Sequence, residues 1–290
     1  MKKNSIALAL FLAVALTTPA VAQSQPETVS VKLTDPSKPA HLSIHIIQGA
    51  IEVEGYNGQE VIVQAIPEDD GDMRPERPMP PKAPKAPRAE DDETMDRRAG
   101  LTKISGGGRS FSVSESDNEV RVRTNVMHST EISLKIKVPV RSSLKLQTMG
   151  DGDVVVDNIE GELELGNADG SIKATRVAGT VLAQTLDGDI VVEMKKVDAS
   201  KPMSFSTMDG DIDLTLPSST KANLKVSTPG GDLYTDFDFD VDQTTERNNE
   251  SDEDGFKMTI MSKVLARING GGLEINFKTY DGDVMVRKAN

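Results

Sequence analysis

The chain has no cysteine and no tryptophan among its 290 residues, and aromatic side chains make up only 3% of it. Without cysteine there is no disulfide, zinc–thiolate centre, cysteine nucleophile or lipid attachment through an N-terminal Cys. Scarce aromatics remove the platforms on which sugar clefts and base-stacking grooves rely. Positive charge is also in deficit: 33 Lys and Arg stand against 46 Asp and Glu, a formal net charge of −13. That argues against nucleic acid, whose phosphates need a basic face, and against docking on anionic lipid headgroups. The histidines are His41, His45 and His128, and neither a Ser-His-Asp constellation nor a zinc spacing includes them. They read as structural.

What is present begins with an export signal. Lys2 and Lys3 form a positive start, Ile6 to Leu16 an apolar core, and Ala20-Val21-Ala22 supplies small residues for cleavage before Gln23. The apolar core is well short of the ~20 residues that span a bilayer. No later stretch is long and apolar enough to cross. Residues 1–22 are therefore expected to be removed, leaving an exported protein with no transmembrane anchor, in the periplasm or at the surface of a bacterium. Leu216-Pro217-Ser218-Ser219-Thr220 faintly resembles a cell-wall sorting signal but lacks an apolar tail and reads as a turn.

Residues 23–66 read as strands. Ile44 to Val53 alternates around Gly49, and Val61-Ile62-Val63 follows the turn Tyr56-Asn57-Gly58. At Pro67 the composition changes to Pro and charge, as in Pro78-Met79-Pro80-Pro81-Lys82. Residues 67–118 are expected to be a solvated, largely disordered loop, with too little apolar surface to offset ordering. Gly106-Gly107-Gly108 lacks the Lys-Ser/Thr of a phosphate loop.

From 119 to 290 the strands return, with a period-two run from Glu131 to Val138 that stops at Pro139. A unit then repeats: two apolar residues flanking one position, four residues, Gly, one residue, and a second apolar pair. Val181 and Ala183 precede Gly188, with Ile190 and Val192 after it; Met203 and Phe205 precede Gly210, with Ile212 and Leu214 after it. The glycines 152, 170, 188, 210 and 231 lie 18, 18, 22 and 21 residues apart, and Gly282 carries another copy.

A two-strand unit of about 20 residues is the signature of a solenoid. The expected fold is all-β, a single-stranded parallel β-helix or β-solenoid with rungs of 18–22 residues; a β-sandwich with hairpins is the alternative. Gln243 to Asp254 is polar and acidic and reads as an excursion at 243–255, while Phe237 and Phe239 read as a core strand.

Three features resemble a known family. They are Gly49-Ala50-Ile51-Glu52-Val53-Glu54-Gly55 with Val61-Ile62-Val63 behind it, the strand end Lys137-Val138-Pro139, and the serial Thr-x-Asp-Gly-Asp turns. Together they are similar to the bacterial exported β-strand-repeat domains labelled "putative adhesin". The resemblance implies a β-helical fold, an extracytoplasmic location and no known catalytic residues.

The acidic turns carry the most suggestive chemistry. Asp151, Asp169, Asp187, Asp189, Asp209 and Asp211 flank successive glycines, joined by Asp153, Asp232, Asp281 and Asp283. Stacked in columns, such carboxylates could take Ca²⁺. Asp-Gly is equally good turn chemistry, and no Gly-Gly-x-Gly-x-Asp calcium repeat occurs. Paired carboxylates could also serve a glycosidase, but each Asp occupies a repeat position and no pair stands out. The expectation is a non-enzyme with no obligate cofactor, a binding, adhesion or scaffold module whose partner is an envelope protein or surface polysaccharide.

Overall fold

A computed structural model describes residues 26–67, 111–124, 131–252 and 255–289. Residues 1–22, where a signal sequence is expected, His128 and most of the Pro-rich loop lie outside the described residues. Period-two alternation dominates: in β2, Ala40, Leu42 and Ile44 are buried while His41 and His45 face out. Among the described residues every regular element is a strand.

The first strands are β1 (Glu27–Lys32), β2 (Ala40–His45), β3 (Ile51–Tyr56) and β4 (Glu60–Pro67). Next come β5 (Phe111–Ser116), β6 (Glu119–Thr124), β7 (Ile132–Pro139), β8 (Ser142–Gln147) and β9 (Val154–Asp157). The repeat proper holds β10 (Glu160–Gly166), β11 (Ile172–Gln184), β12 (Ile190–Val197), β13 (Met203–Ser206), β14 (Ile212–Leu216), β15 (Ala222–Ser227) and β16 (Leu233–Thr235). Then β17 (Phe239–Asp252), β18 (Gly255–Ile268), β19 (Leu273–Lys278) and β20 (Val284–Lys288) complete the chain.

The units stack as the rungs of a β-solenoid. Each glycine corner joins an incoming strand to an outgoing one, and successive rungs pair in parallel. The incoming strands run β6, β2, β8, β10, second half of β11, β13, β19, β15. The outgoing strands run β7, β3, β9, first half of β11, β12, β14, β20, β16. β11 serves both faces because it turns at Arg176 and Gly179, which take φ of 55° and 118°. This parallel register is incompatible with the hairpin sandwich.

Chain order and stacking order differ at both ends. The rung of β2 and β3 lies between that of β6 and β7 and that of β8 and β9. The rung of β19 and β20 lies between that of β13 and β14 and that of β15 and β16. Phe205 and Phe277 are thus neighbours, their rings stacked at 5.5 Å and 21°.

The core is one column of buried apolar side chains. Ile172, Ile190, Ile212 and Val284 are fully buried in register. Each contributes about 1.5–3 kcal/mol by leaving water, and stacking lets the rungs share that gain.

Antiparallel strands close the stack: β5 on β6, β4 and β1 on β7, and β18 and β17 on β15. Two of them revise the sequence reading. Phe111–Ser116 is strand, not loop, because Phe111 and Val113 alternate with serines and pack against the core. Asp117 and Asn118, both at positive φ (53° and 64°), make its tight hairpin turn. Residues 243–252 of the acidic excursion are likewise strand, the far half of β17 paired with β18, and backbone pairing needs no apolar pattern. Phe237 is buried as expected, whereas Phe239 is 48% exposed.

Candidate functional site

The Thr-x-Asp-Gly-Asp corner recurs from rung to rung, and stacking gives each of its positions a different task. The glycine is dictated by its neighbour. Gly188 and Gly210 take φ of 137° and 134°, and a Cβ on Gly210 would lie 2.4 Å from the Gly188 carbonyl oxygen. Only glycine satisfies both demands.

The threonine, buried in every rung but that of the half-buried Thr228, bonds back to the preceding rung. Thr185 Oγ1 donates to the Gly170 carbonyl at 3.0 Å, Thr207 to Gly188 at 3.1 Å and Thr279 to Gly210 at 3.2 Å. Thr148 reaches Gly49 at 3.3 Å and Thr228 reaches Gly282 at 2.8 Å. In one rung Asn167 substitutes, its Nδ2 donating to Gly152 at 2.9 Å. Its buried Oδ1 is left without a partner.

The two aspartates differ. The carboxylate after each glycine bonds forward. Asp189 Oδ1 accepts the Asp211 N–H at 2.9 Å, Asp211 Oδ1 that of Asp283 at 2.8 Å, and Asp283 Oδ1 that of Asp232 at 2.8 Å. Asp153 does the same for Ser171 at 2.9 Å. These groups tie rung to rung at the corner, where a main-chain donor would otherwise go to water.

The aspartates before the glycine form a second column. Asp169, Asp187, Asp209 and Asp281 bridge one another in parallel through their backbones, and their side chains are exposed. Asp151 holds the equivalent place one rung earlier and is exposed. Among the described residues, no three His, Cys, Asp or Glu side chains converge to hold a metal ion. His41 and His45 lie on the outer face of β2, with His45 at its corner end opposite Gln147.

The residue between Thr and Asp escaped the sequence reading. Met149, Leu186, Met208 and Tyr280 are 60%, 51%, 56% and 69% exposed. Large apolar residues recurring at a turn position were the available signal. A depression of about 260 Å³ lies over Gly166, between Gln147, Glu164, Leu182 and Gln184.

Charge on the strand faces is matched between rungs. Lys145 meets Glu164 at 2.6 Å, Lys135 meets Glu52 at 2.9 Å, and Lys225 meets Glu274 at 2.8 Å. The Arg176 guanidinium beside Asp157 holds that carboxyl below its ordinary value, with the Thr175 hydroxyl adding to the effect against the opposing pull of burial.

The family model described as Toastrack DUF4097 matches residues 22–287. The chain belongs to this family. No curated protein matches the Toastrack chain. Among solved structures it is similar to a "putative cell adhesion protein" from Clostridium sporogenes ATCC 15579. The two are 12% identical over 91% of this chain and 100% of the other, with a TM-score of 0.44. A "putative adhesin" from Bacteroides fragilis NCTC 9343 is 10% identical over 91% of this chain and 97% of the other, with a TM-score of 0.38.

Proposed function

We propose that this Toastrack chain is a non-enzymatic, exported binding module of the bacterial envelope, holding an envelope protein or surface polysaccharide. The observation that carries the reading is the corner geometry. Threonine, glycine and the second aspartate are spent on joining rungs, so the solenoid is a rigid bar that displays its remaining positions at a fixed spacing. Bars of stacked repeats supply extended surfaces for recognition. The acidic residues that first suggested catalysis or calcium divide into hydrogen-bonding struts and an exposed column. Neither arrangement pairs an acid with a base.

The test is affinity capture with the full exported chain as bait on solubilised native envelope, together with cell fractionation. The reading expects the chain outside the cytoplasm and one partner enriched in proportion to bait. Residence in the cytoplasm, or turnover of an acidic polysaccharide by the purified chain, would overturn it.

A further inference from the structure

The exposed corner positions stack into a ridge. Met208 N–H donates to the Leu186 carbonyl and Tyr280 N–H to the Met208 carbonyl, each at 3.1 Å, so these three side chains sit on consecutive rungs. Ala168 precedes them, its carbonyl taking the Leu186 N–H at 3.1 Å. Met149 and Ile47, the latter 39% exposed, occupy the same corner position on the two rungs before. Six rungs at about 4.8 Å make a ridge roughly 24 Å long.

Beside the ridge runs the column Asp169, Asp187, Asp209 and Asp281. Among the described residues their carboxylates have no hydrogen-bond or ion-pair partner. On the strand faces, by contrast, several charges meet an opposite charge on the neighbouring rung, as in Lys145–Glu164, Lys135–Glu52 and Arg287–Asp213. Like charges opposite one another in a sheet are destabilising, and a run of exposed large apolar side chains gains nothing from water. An isolated solenoid is better off without either. Both become favourable against one kind of surface, which carries cations toward the Asp column and apolar groups toward the ridge.

We infer that this corner is a docking surface for a cationic amphipathic polypeptide segment, the apolar side of which lies along Met149, Leu186, Met208 and Tyr280 while its Lys or Arg side chains meet Asp169, Asp187, Asp209 and Asp281. The inference rests on the binding-module reading and names its partner's chemistry. Anionic lipid and nucleic acid are repelled by the column. A second copy of this chain would set one acidic column against another. The length suits about seven residues of extended chain or about four turns of helix.

The test uses the full exported chain and a labelled peptide of about 14 residues alternating Lys and Leu. Fluorescence anisotropy compares it with peptides in which Ser replaces Leu or Glu replaces Lys. Only the Lys–Leu peptide should bind, more weakly as salt rises. Leu186→Ser with Met208→Ser should weaken it at least about tenfold, as should Asp187→Asn with Asp209→Asn. Glu193→Gln, on the outer face of β12, should leave it within about twofold. All of these positions are exposed, and unchanged thermal melting confirms that the variants fold.

Equal binding of the Lys–Ser peptide would mean charge attraction alone and overturn the inference, as would insensitivity to the ridge variants. Sedimentation showing self-association that Leu186→Ser abolishes would assign the ridge to a second copy and also overturn it. Capture of the same envelope partner by wild type and ridge variants would sink the ridge inference and leave the binding-module reading standing. Loss of the module reading itself would show as no envelope partner with any variant.

Discussion

The hydroxyl of Thr207 donates to the carbonyl of Gly188, a residue 19 positions earlier that lies one rung away, at 3.1 Å. Five further rungs repeat the bond, and it continues through Thr279 and Gly210, 69 positions apart, where stacking order leaves chain order. The ladder therefore belongs to the assembled solenoid and is absent from any single unit.

Thr207→Val keeps the shape of the side chain and removes the donor. It should cost about 1–2 kcal/mol by leaving a half-buried carbonyl without that bond, whereas Thr207→Ser should retain most of it. Asn167 gives the converse case. Asn167→Thr restores the ladder residue and removes the orphaned Oδ1, so it should raise stability by about 1 kcal/mol. Denaturant unfolding measures all three. A stabilising Thr207→Val or a destabilising Asn167→Thr would mean that the ladder contributes nothing.

Stacking order also governs local opening. β20 is the last strand in sequence yet is paired on both sides, with β14 and β16. β16 lies in mid-sequence, is three residues long and is paired with β20 alone among the described residues. Native-state hydrogen exchange should find Val284 and Val286 protected at least about tenfold more than Leu233 and Thr235. Faster exchange in β20 would mean that the terminal rung lies on the outside.

Much of this architecture was legible from the sequence. The spacing of Gly170, Gly188 and Gly210 and the alternation around them specify two-strand rungs, because a pleated strand must sort its side chains between two faces. Stacking order was hidden because Leu224 to Leu233 and Ile275 to Val286 carry the same pattern, and a repeat does not say which neighbour it covers. The weak end of the first copy, a polar Thr235 where others have Val, Leu or Ala, was the sole trace of a terminal position. The acidic turns were visible too. Asp187 and Asp189 look alike in sequence and are both exposed. They differ because Asp189 reaches the next rung's N–H, which exists only after assembly.

The Asp157–Arg176 pair gives a pH signature. The guanidinium bond lowers the Asp157 pKa from its ordinary 3.8. A carboxyl lowered in the folded state adds stability above its unfolded value, and that stability is lost as pH falls through the folded value. Arg176→Gln retains a Cβ at the same positive φ of 55° and so isolates the ion pair. The variant should melt below wild type at neutral pH, and the gap should shrink as pH falls below about 4. A gap independent of pH would assign the loss to packing.

The rung register can be tested on adjacent residues with opposite orientation. Ile190 is fully buried and Asp189 is exposed. Ile190→Asp puts a carboxylate into the apolar column, where it must be desolvated or protonated, and should cost several kcal/mol. Asp189→Asn keeps an amide oxygen that can accept the Asp211 N–H, so it should change stability by only about 0.5 kcal/mol. Asp189→Ala removes that acceptor and should cost about 1 kcal/mol. One rung on, Ile212 is buried and the Asp211 carboxylate accepts the Asp283 N–H, so Ile212→Asp, Asp211→Asn and Asp211→Ala should repeat the same order. Asp211 hands its bond to a residue 72 positions away, across the point where chain and stacking order part. Agreement between the two triplets would therefore report on the stacking as well as the register. Chemical denaturation of the six variants decides it. Similar losses from Ile190→Asp and Asp189→Asn would reverse the assignment of inner and outer faces. A neutral Asp211→Ala beside a costly Asp189→Ala would place the 273–288 rung elsewhere in the stack.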